Sequence, residues 1–532
     1  LPTDSMIRGV VVLASAHPIG EIPIPGIRVR PMTTIGRSLV VCVSEAWESS
    51  CTVDLQAVEL VLEAYPSYFK AFSFDENSVC APGIETKSSP LDPSAAHWGY
   101  ASAARSLAPP AVVPGGFVVA TGDDGRLHRL RTSDGCRCGW VPPSLGGVSV
   151  MRPMAGNLSP SGEPDYTAFL AGSDGLLYRF GLDDGTQAPD ATRNVAGPGG
   201  DAGCSGGRLT AGPVVAVDAF DRNQNEDDDV VVVATDCSAT GNRVLMYDHA
   251  LSRLVDSFDG GEQGLGVSVA QARILYREFG NHLVYVPVRD EGGESVVVLE
   301  IDRGPSFGDA PYAVVTDLGS VEVTPVPARR SETTHLLVVA NTRGEVVVFD
   351  ADARTAGPGS SLIELDRLGT DDGAIRGLDV SDPIAVGLDL HENWIAFTSE
   401  TKIHGVKLTA EGRFDPTSMW TRQIASPSAP LLLLHAFVFG STTAYVSTAE
   451  GTIEVLDATT GSLFQSWTVV PDAVLTEPTF DWGDGVHQGI VVGTEEGNVF
   501  WIPLESADGT YRATTSIIEL RRALGAKDLT SF

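Results

Sequence analysis

Apolar and polar residues alternate along short runs that end at turn-forming residues, and the clearest example is Tyr445–Trp467. This stretch begins with a β-rich run, turns at Glu450-Gly451, alternates from Thr452 to Leu456, and turns again before Trp467. Alternation with a period of two, bounded by Gly and Asp, is typical of antiparallel strands with one buried face. The pattern therefore predicts β-strands joined by tight turns.

The same pattern recurs along most of the chain. Strong copies occupy Ala120–Asp134, Ala171–Gly185, Ala340–Ala353 and Val492–Leu504, and weaker copies occupy Ala234–Asp248, Val286–Asp302 and Phe397–Leu408. Their spacing of roughly 45 to 65 residues is the range found for propeller blades. Together with the first stretch they make eight copies, which predict an all-β, eight-bladed β-propeller, with seven blades as the alternative.

The repeated unit resembles the repeat of the pyrroloquinoline-quinone (PQQ)-type propellers, the quinoprotein dehydrogenases and their cofactor-free relatives. The turn Asp457–Gly461 and the following Trp467 match that repeat best, and the resemblance extends over about residues 101–532. It implies the propeller fold, but enzymes, assembly factors and binding proteins share this scaffold. Cys136 and Cys138 are separated by one residue, unlike the adjacent-cysteine disulfide of some quinoprotein dehydrogenases, which favours a non-catalytic relative.

The N-terminal residues do not follow this repeat. Apolar runs from Met6 to Pro31, from Ser38 to Ser44 and from Ala57 to Phe74 are similar to the small transthyretin-like β-sandwich of carboxypeptidase regulatory domains. The alternative is an extra blade or an N-terminal strand that closes the ring. We therefore predict a small β-sandwich domain over residues 1–84, a Pro/Ser/Ala-rich linker over 85–114 and the propeller over 115–532. Residues Thr510–Ile518 are a candidate for the strand that closes the last blade.

Charge and cysteine content narrow the possible partners and the compartment. The chain has 69 acidic and 36 basic residues, a formal net charge of −33, which argues against nucleic acid and anionic membranes as partners. No run of about 18 apolar residues occurs, so no transmembrane span is predicted. The seven cysteines form no CxxC pair or Cys/His cluster and favour disulfides over zinc, with Cys42–Cys51 and Cys204–Cys237 as candidate bridges. A first residue Leu1 suggests a removed signal peptide or a trimmed chain, and we expect an extracellular or cell-surface protein, with the periplasm as alternative.

One acidic segment has the spacing of a calcium loop. Its candidate ligands are oxygen-bearing residues of the range 221–229, namely Asp221, Asn223, Asn225, Asp227 (through a carbonyl) and Asp229. Calcium binds six to eight such oxygens. The segment is similar to the calcium loop of FG-GAP repeats in integrin-type propellers, although Glu226 replaces the glycine that makes the sharp turn there. Ca²⁺ is therefore a possible cofactor, and a solvated acidic turn is the alternative.

Motifs of catalysis are missing from the sequence. There is no H-E-x-x-H, no G-x-S-x-G before a helix and no Gly-rich phosphate loop. Trp140 and Trp467 are predicted to pack between blades. His128, His249 and His404 lie in or just after alternating runs, and we expect partly exposed side chains without a metal role.

These observations predict a non-catalytic binding propeller. Its partner would be a protein or an extracellular polymer, held on one face of the ring where the flexible loop Gly197–Gly207 meets the acidic loop Asp221–Asp229. One alternative is a quinoprotein-like oxidoreductase. The other is a structural subunit of an extracellular assembly, in which Thr3–Leu13 adds a strand to a neighbouring copy.

Overall fold

The computed structural model describes residues 98–504 with gaps, together with four strands nearer the N-terminus. The gaps are residues 103–107, 114–115, 133–134, 136–144, 146–151, 159–165, 183–188, 205, 210, 217–228, 238–240, 261–264, 276–280, 291–292, 303–305, 322, 331–333, 357–359, 382–383, 387–389, 437–440 and 482–488. Within these described ranges the regular structure is entirely β-strand. The predicted all-β class is thereby confirmed.

Four strands near the N-terminus form a sheet of their own. They are β1 (Val11–Ala14), β2 (Arg28–Ile35), β3 (Ser38–Ser44) and β4 (Phe69–Ala71). All pairs are antiparallel, in the order β2-β3-β1-β4. That this sheet belongs to a separate sandwich domain stays a prediction.

Eight blades follow, each an antiparallel sheet of neighbouring strands. Blade 1 contains β6 (Ala111–Val113), β7 (Phe117–Thr121) and β8 (Leu127–Arg131). Blade 2 contains β9 (Met154–Asn157), β10 (Tyr166–Ala171), β11 (Leu176–Gly181) and β12 (Ala191–Asn194). Blade 3 contains β13 (Val214–Ala216), β14 (Val230–Ala234), β15 (Val244–Asp248) and β16 (Leu254–Phe258). Blade 4 contains β17 (Val267–Ser268), β18 (Arg273–Leu275), β19 (His282–Asp290), β20 (Gly293–Ile301) and β21 (Ala313–Val315).

The second half of the ring repeats this arrangement. Blade 5 contains β22 (Val326–Arg329), β23 (His335–Ala340), β24 (Glu345–Arg354) and β25 (Leu362–Gly369). Blade 6 contains β26 (Gly377–Val380), β29 (Trp394–Thr398), β30 (Lys402–Leu408) and β31 (Phe414–Gln423), with a hairpin of β27 (Ile384–Val386) and β28 (Leu390–Glu392) inserted after β26. Blade 7 contains β32 (Leu432–Ala436), β33 (Ser441–Ser447), β34 (Thr452–Asp457) and β35 (Leu463–Thr468). Blade 8 contains β36 (Thr479–Asp481), β37 (Gly489–Gly493), β38 (Asn498–Pro503) and β5 (Trp98–Ala101).

The core lies between the blades. Among the described residues, eight apolar clusters each join two consecutive blades, and together they complete the circle. For example, Leu177 of blade 2 meets Val233 of blade 3, and Tyr100 of blade 8 meets Val118 of blade 1. A strand buried on both faces reads as a continuous apolar run, which explains the valines of β14. The structure therefore confirms eight blades rather than seven.

The ring is closed by a strand from the N-terminal side. Strand β5 pairs antiparallel with β38, with Trp98 opposite Trp501 and Ala101 opposite Asn498. Residues 98–101 and 111–113 therefore belong to blades, although both lie within the segment predicted as a linker. The other candidate for closure, Thr510–Ile518, lies outside the described residues. This pairing covers the outer edge of β38, which would otherwise be unpaired.

Because neighbouring strands of a blade run in opposite directions, the ring has two distinct faces. The turn from the second to the third strand of a blade lies at the same end as the connection to the next blade, and we call this side the turn face. The connections from the first to the second strand and from the third to the fourth lie at the opposite end, the loop face. These definitions follow from the antiparallel order within every blade.

Candidate functional site

The turn face is built on a repeated hydrogen-bonded turn. The turn glycines Gly125, Gly175, Gly344 and Gly451 have φ between 63° and 80°, a region that favours glycine. Their carbonyl oxygens accept N–H groups from residues at or just past the end of the same blade: Leu145 N–H at 2.7 Å, Val195 N–H at 3.0 Å, Thr370 N–H at 2.8 Å and Val469 N–H at 2.8 Å. The turns are thus tied to the connections beside them, and the turn face is a fixed backbone surface.

The glycine-rich loop Gly197–Gly207 lies on this turn face, because it connects blade 2 to blade 3. Its described residues form no helix or strand, as the sequence predicts, and their backbone groups are hydrogen-bonded. Ala202 N–H donates to the Val195 carbonyl at 2.9 Å, and Gly207 N–H donates to the Ala196 carbonyl at 2.8 Å. Repeated backbone bonds of this kind give the loop a defined shape.

A charged side chain fixes the centre of this loop. Asp201 accepts hydrogen bonds from Arg193 Nη2 at 3.0 Å and from the Tyr247 hydroxyl at 3.0 Å. Arg193 also lies 5.6 Å from the Tyr247 ring centroid. Burial, followed by the negative charge of Asp201, raises the pKa of Tyr247, so this phenol stays protonated and keeps donating. The cluster joins the outer strand of blade 2 to the third strand of blade 3.

A disulfide makes the second attachment of the loop. Cys204 is bonded to Cys237, which follows β14, and the two Cα atoms are 5.6 Å apart. Both residues are buried. This is one of the two pairs predicted from the sequence, and the side chains of the other pair, Cys42 and Cys51, lie outside the described residues. The bridge fastens the connection between blades 2 and 3 to the adjacent turn of blade 3.

The acidic segment 221–229 connects β13 to β14 in the sequence, and residues 217–228 fall outside the described residues. The prediction that this segment meets Gly197–Gly207 on one surface stays a prediction. Residues Asp221, Asn223, Asn225 and Asp227 fall outside the described residues. Asp229 is described: it is fully buried, and its carbonyl oxygen accepts the His249 N–H at 3.1 Å. The calcium site stays a prediction.

Exposed carboxylates gather on the turn face of blades 7, 8 and 1. We call this surface the acidic arc; its members are Asp123, Glu450, Asp472, Glu495 and Glu496, all of them exposed. The arc is continuous between blades 7 and 8, because Asp472 N–H donates to the Glu450 carbonyl at 3.1 Å and Glu495 N–H donates to the Val474 carbonyl at 3.0 Å. Carboxylates held on one fixed backbone attract cations more strongly than scattered ones.

A half-buried carboxylate lies beneath the arc. Glu454 is on β34, and burial raises its pKa, while Arg422 opposes this shift and Glu450 adds to it. The Glu450 effect means that the negative charges of Glu450 and Glu454 are close enough to repel each other. A bound cationic group would relieve this repulsion.

Near the inner strands of the ring, a carboxylate of blade 8 is paired with an arginine of blade 2. Arg152 Nη1 is 2.8 Å from Glu477 Oε1, and Arg152 Nη2 donates to Thr479 Oγ1 at 2.7 Å. The Thr479 hydroxyl donates to the Pro110 carbonyl at 2.7 Å. This network ties blades 8, 1 and 2 together.

Blade 6 carries a buried histidine cluster. His404 Nδ1 lies 3.0 Å from Thr421 Oγ1, His404 Nε2 lies 3.1 Å from Asp372 Oδ2, and Lys402 forms an ion pair with the same aspartate. The ring stacks on Phe397 with centroids 4.8 Å apart. Burial lowers the pKa of His404, with Asp372 acting in the opposite direction and Lys402 adding to the decrease. The neutral imidazole of His404 lies between the Thr421 hydroxyl and the Asp372 carboxylate. It thereby links β30 and β31 of blade 6 to the connection from blade 5.

The prediction of partly exposed histidines is wrong for two of the three. His404 and His128 are each 2% exposed, and His128 bonds to Asp124 Oδ2 at 2.8 Å and to the Tyr100 hydroxyl at 3.0 Å. His249 is intermediate in exposure. Sequence alternation alone marks a sheet face but not whether a neighbouring blade covers it.

Trp467 packs between blades 7 and 8, 6.0 Å from Tyr445 by ring centroids, whereas Trp140 lies outside the described residues. The described part of the chain gathers no group of three or more His, Cys, Asp or Glu side chains suited to a metal ion. The same part contains no helix with the length and hydrophobicity needed to span a membrane.

Comparison with known proteins supports the fold. No protein-family model matches the sequence, and no curated protein matches it. Among solved structures, the chain is similar to Sqt1 of Saccharomyces cerevisiae, with a TM-score of 0.50, 11% identity, and coverage of 77% of this chain and 99% of that chain. It is also similar to Sqt1 of Chaetomium thermophilum, solved with the N-terminus of the ribosomal protein L10, with a TM-score of 0.49, 13% identity, and coverage of 75% and 98%. At these identities the likeness concerns the fold alone.

Proposed function

We propose that this propeller is a non-catalytic binding protein that holds a partner protein on its turn face through the acidic arc. The observation that carries the proposal is the placement of Glu450, Asp472 and Glu495 on one hydrogen-bonded backbone surface. Because that surface is fixed before binding, little conformational entropy is lost on association. A basic segment of the partner is the complementary chemistry.

A fluorescent peptide of about ten lysines tests the proposal by anisotropy at low and at moderate salt. Each exposed charge contributes about 0.2–1 kcal/mol, so Glu495→Gln/Glu496→Gln is expected to weaken binding about two- to thirtyfold. The matched control is Asp309→Asn/Glu411→Gln, which removes the same charge from exposed positions on the loop face. An equal loss in both variants would mean attraction to net charge only, and no binding at all would also refute the proposal.

Calcium is a finer part of the proposal and rests on the FG-GAP-like spacing of Asp221–Asp229. We propose that the ion stabilises the connection between β13 and β14. Titration calorimetry with Ca²⁺ alone is expected to show one site in the full chain and none in Asp221→Asn. Binding that is unchanged in this variant would contradict the assignment.

The compartment and the subfamily complete the proposal. A buried disulfide between Cys204 and Cys237 supports an oxidising environment, so we propose an extracellular or cell-surface protein. The turn Asp457–Gly461 supports a cofactor-free relative of the PQQ-type propellers. Free thiols at both positions in protein isolated from its source would contradict the proposed compartment.

A further inference from the structure

The outer strand of blade 7, β35, has an exposed and uncharged edge. Its first four residues, 463–466, are all exposed, and the exposed fractions of Leu463 and Phe464 are 40% and 46%. Residues 458–471 contain no ionisable side chain, although 20% of the whole chain is charged. Adjacent exposed apolar groups mark contact sites, whereas single ones are ordinary. The edge of β35 is therefore a candidate contact surface.

The other long outer strands are protected against pairing with a further strand. Natural sheets block such pairing with charged residues and prolines on their edges. The described outer strands with more than four residues, β35 excepted, all carry charged residues, namely Asp256 in β16, Glu364 and Arg367 in β25, and Asp415 and Arg422 in β31. The short β21 is covered instead, because Val314 N–H donates to the Ser360 carbonyl at 2.9 Å. Among these long outer strands, β35 alone has neither a charged residue nor a proline.

Strand pairing within blade 7 leaves a regular part of this edge available. Gln465 is opposite Val455 and Leu463 is opposite Leu456, so Phe464 is the extra residue of a β-bulge. From Gln465 to Thr468, the strand pairs regularly with β34 on its inner side, and no described strand pairs with its outer side. The outer backbone groups of such a strand are a template for another strand.

The distribution of charge favours a second copy of the chain in antiparallel orientation. The turn-face end of β35 leads to Asp472 of the acidic arc, whereas the loop-face end begins at the uncharged Thr460–Ser462. Antiparallel pairing places the turn-face end of each strand beside the loop-face end of the other, so the two arcs lie on opposite sides. A basic partner finds no carboxylate on β35, but a second copy brings an edge that is equally uncharged.

We propose that two copies of this chain associate by antiparallel pairing of their β35 strands around a twofold axis. Such a contact uses the same strand of both copies and is closed, so it produces dimers and not fibres. Leu463 and Phe464 of each copy lie at one end of the paired stretch and are covered by the other copy. Because one short strand buries less than about 1,200 Å², the dimer exchanges with the monomer. The acidic arc stays exposed, so the dimer and the proposed function are tested independently.

Sedimentation velocity of the full chain over a range of concentrations tests the proposal. The mass of the parent is expected to rise with concentration from 56.0 kDa toward twice that value. Phe464→Glu is expected to weaken the dimer at least about tenfold, because each copy would place an unpaired carboxylate in the contact. The matched control is Ile363→Glu, which adds the same charge at a residue of β25 that is 42% exposed. A monomer at every concentration, or equal weakening in both variants, overturns the proposal.

Salt dependence and cross-linking test where the copies meet. Both copies carry a net charge of −33, so added salt is expected to strengthen the dimer, whereas it weakens binding of the lysine peptide. A photoreactive phenylalanine analogue at Phe464 is expected to cross-link to residues 458–471 of an isotope-labelled second copy, as identified by mass spectrometry. A cross-link elsewhere in the protein, no cross-link, or a dimer that weakens with salt overturns the proposal.

Discussion

Removal of the Cys204–Cys237 bond tests whether the glycine-rich loop stabilises the ring. The bond closes a chain segment of 33 residues. In the chain-entropy relation, a loop of this length lowers the entropy of the unfolded chain by about 12 cal/mol/K, or about 3.7 kcal/mol at 25 °C. If the 532-residue chain unfolds in one transition, its unfolding entropy is about 1.1 kcal/mol/K, and the expected fall in Tm is about 3 °C.

Differential scanning calorimetry of Cys204→Ala/Cys237→Ala measures this difference. Five other cysteines are present, so the parent and the variant are each scanned with and without reductant. Reductant is expected to lower the Tm of the parent by about the amount lost in the variant, and to leave the variant unchanged unless another bridge contributes. An unchanged Tm in the variant would show that the Asp201 cluster and the backbone bonds hold the loop without the bridge, refuting the entropy argument.

Two further predictions concern the turns and a buried histidine. Gly451→Ala is expected to lower the free energy of unfolding in urea by at least about 2 kcal/mol more than Gly199→Ala. Both glycines have φ above 70°, but only at Gly451 would a Cβ collide with a backbone atom, the Val470 carbonyl oxygen. Equal losses of stability would contradict this crowding. The pKa of His404 is lower in the folded protein than in the unfolded chain, so the unfolded chain binds a proton at this side chain first as the pH falls below about 6.5. The free energy of unfolding should therefore decrease below that pH. In His404→Gln this decrease should be smaller. Identical pH profiles of the two proteins would show that His404 does not contribute.

Local pattern was sufficient to predict the blades. The run Thr452–Asp457 is a strand because its alternation places Ile453 and Val455 in the cluster shared with blade 8. Strand β5 was missed because four residues before a Pro-rich segment carry no such pattern, and their partner β38 lies nearly 400 residues later in the chain. The strand pairing that closes the ring joins residues far apart in the sequence, and the hydrophobic periodicity of one strand does not identify the strand with which it pairs.

The candidate site was predicted less well because its surface depends on strand direction. The connections before and after β13 leave opposite ends of that strand. Their composition, glycine-rich or acidic, does not record that direction. The buried histidines were missed for a related reason, since His128 is covered by Tyr100 of a different blade.

The acidic arc depends on the closure of the ring. Asp123 belongs to the first blade and Glu496 to the last, so most of the sequence separates two residues that the fold places on neighbouring blades. Their blades are held together by the cluster in which Tyr100 of β5 meets Val118 and Val499. The strand that closes the ring therefore also helps to hold the arc together, alongside the Arg152 and Thr479 contacts between blades 8, 1 and 2. A binding surface assembled from both ends of the propeller forms only in the closed ring.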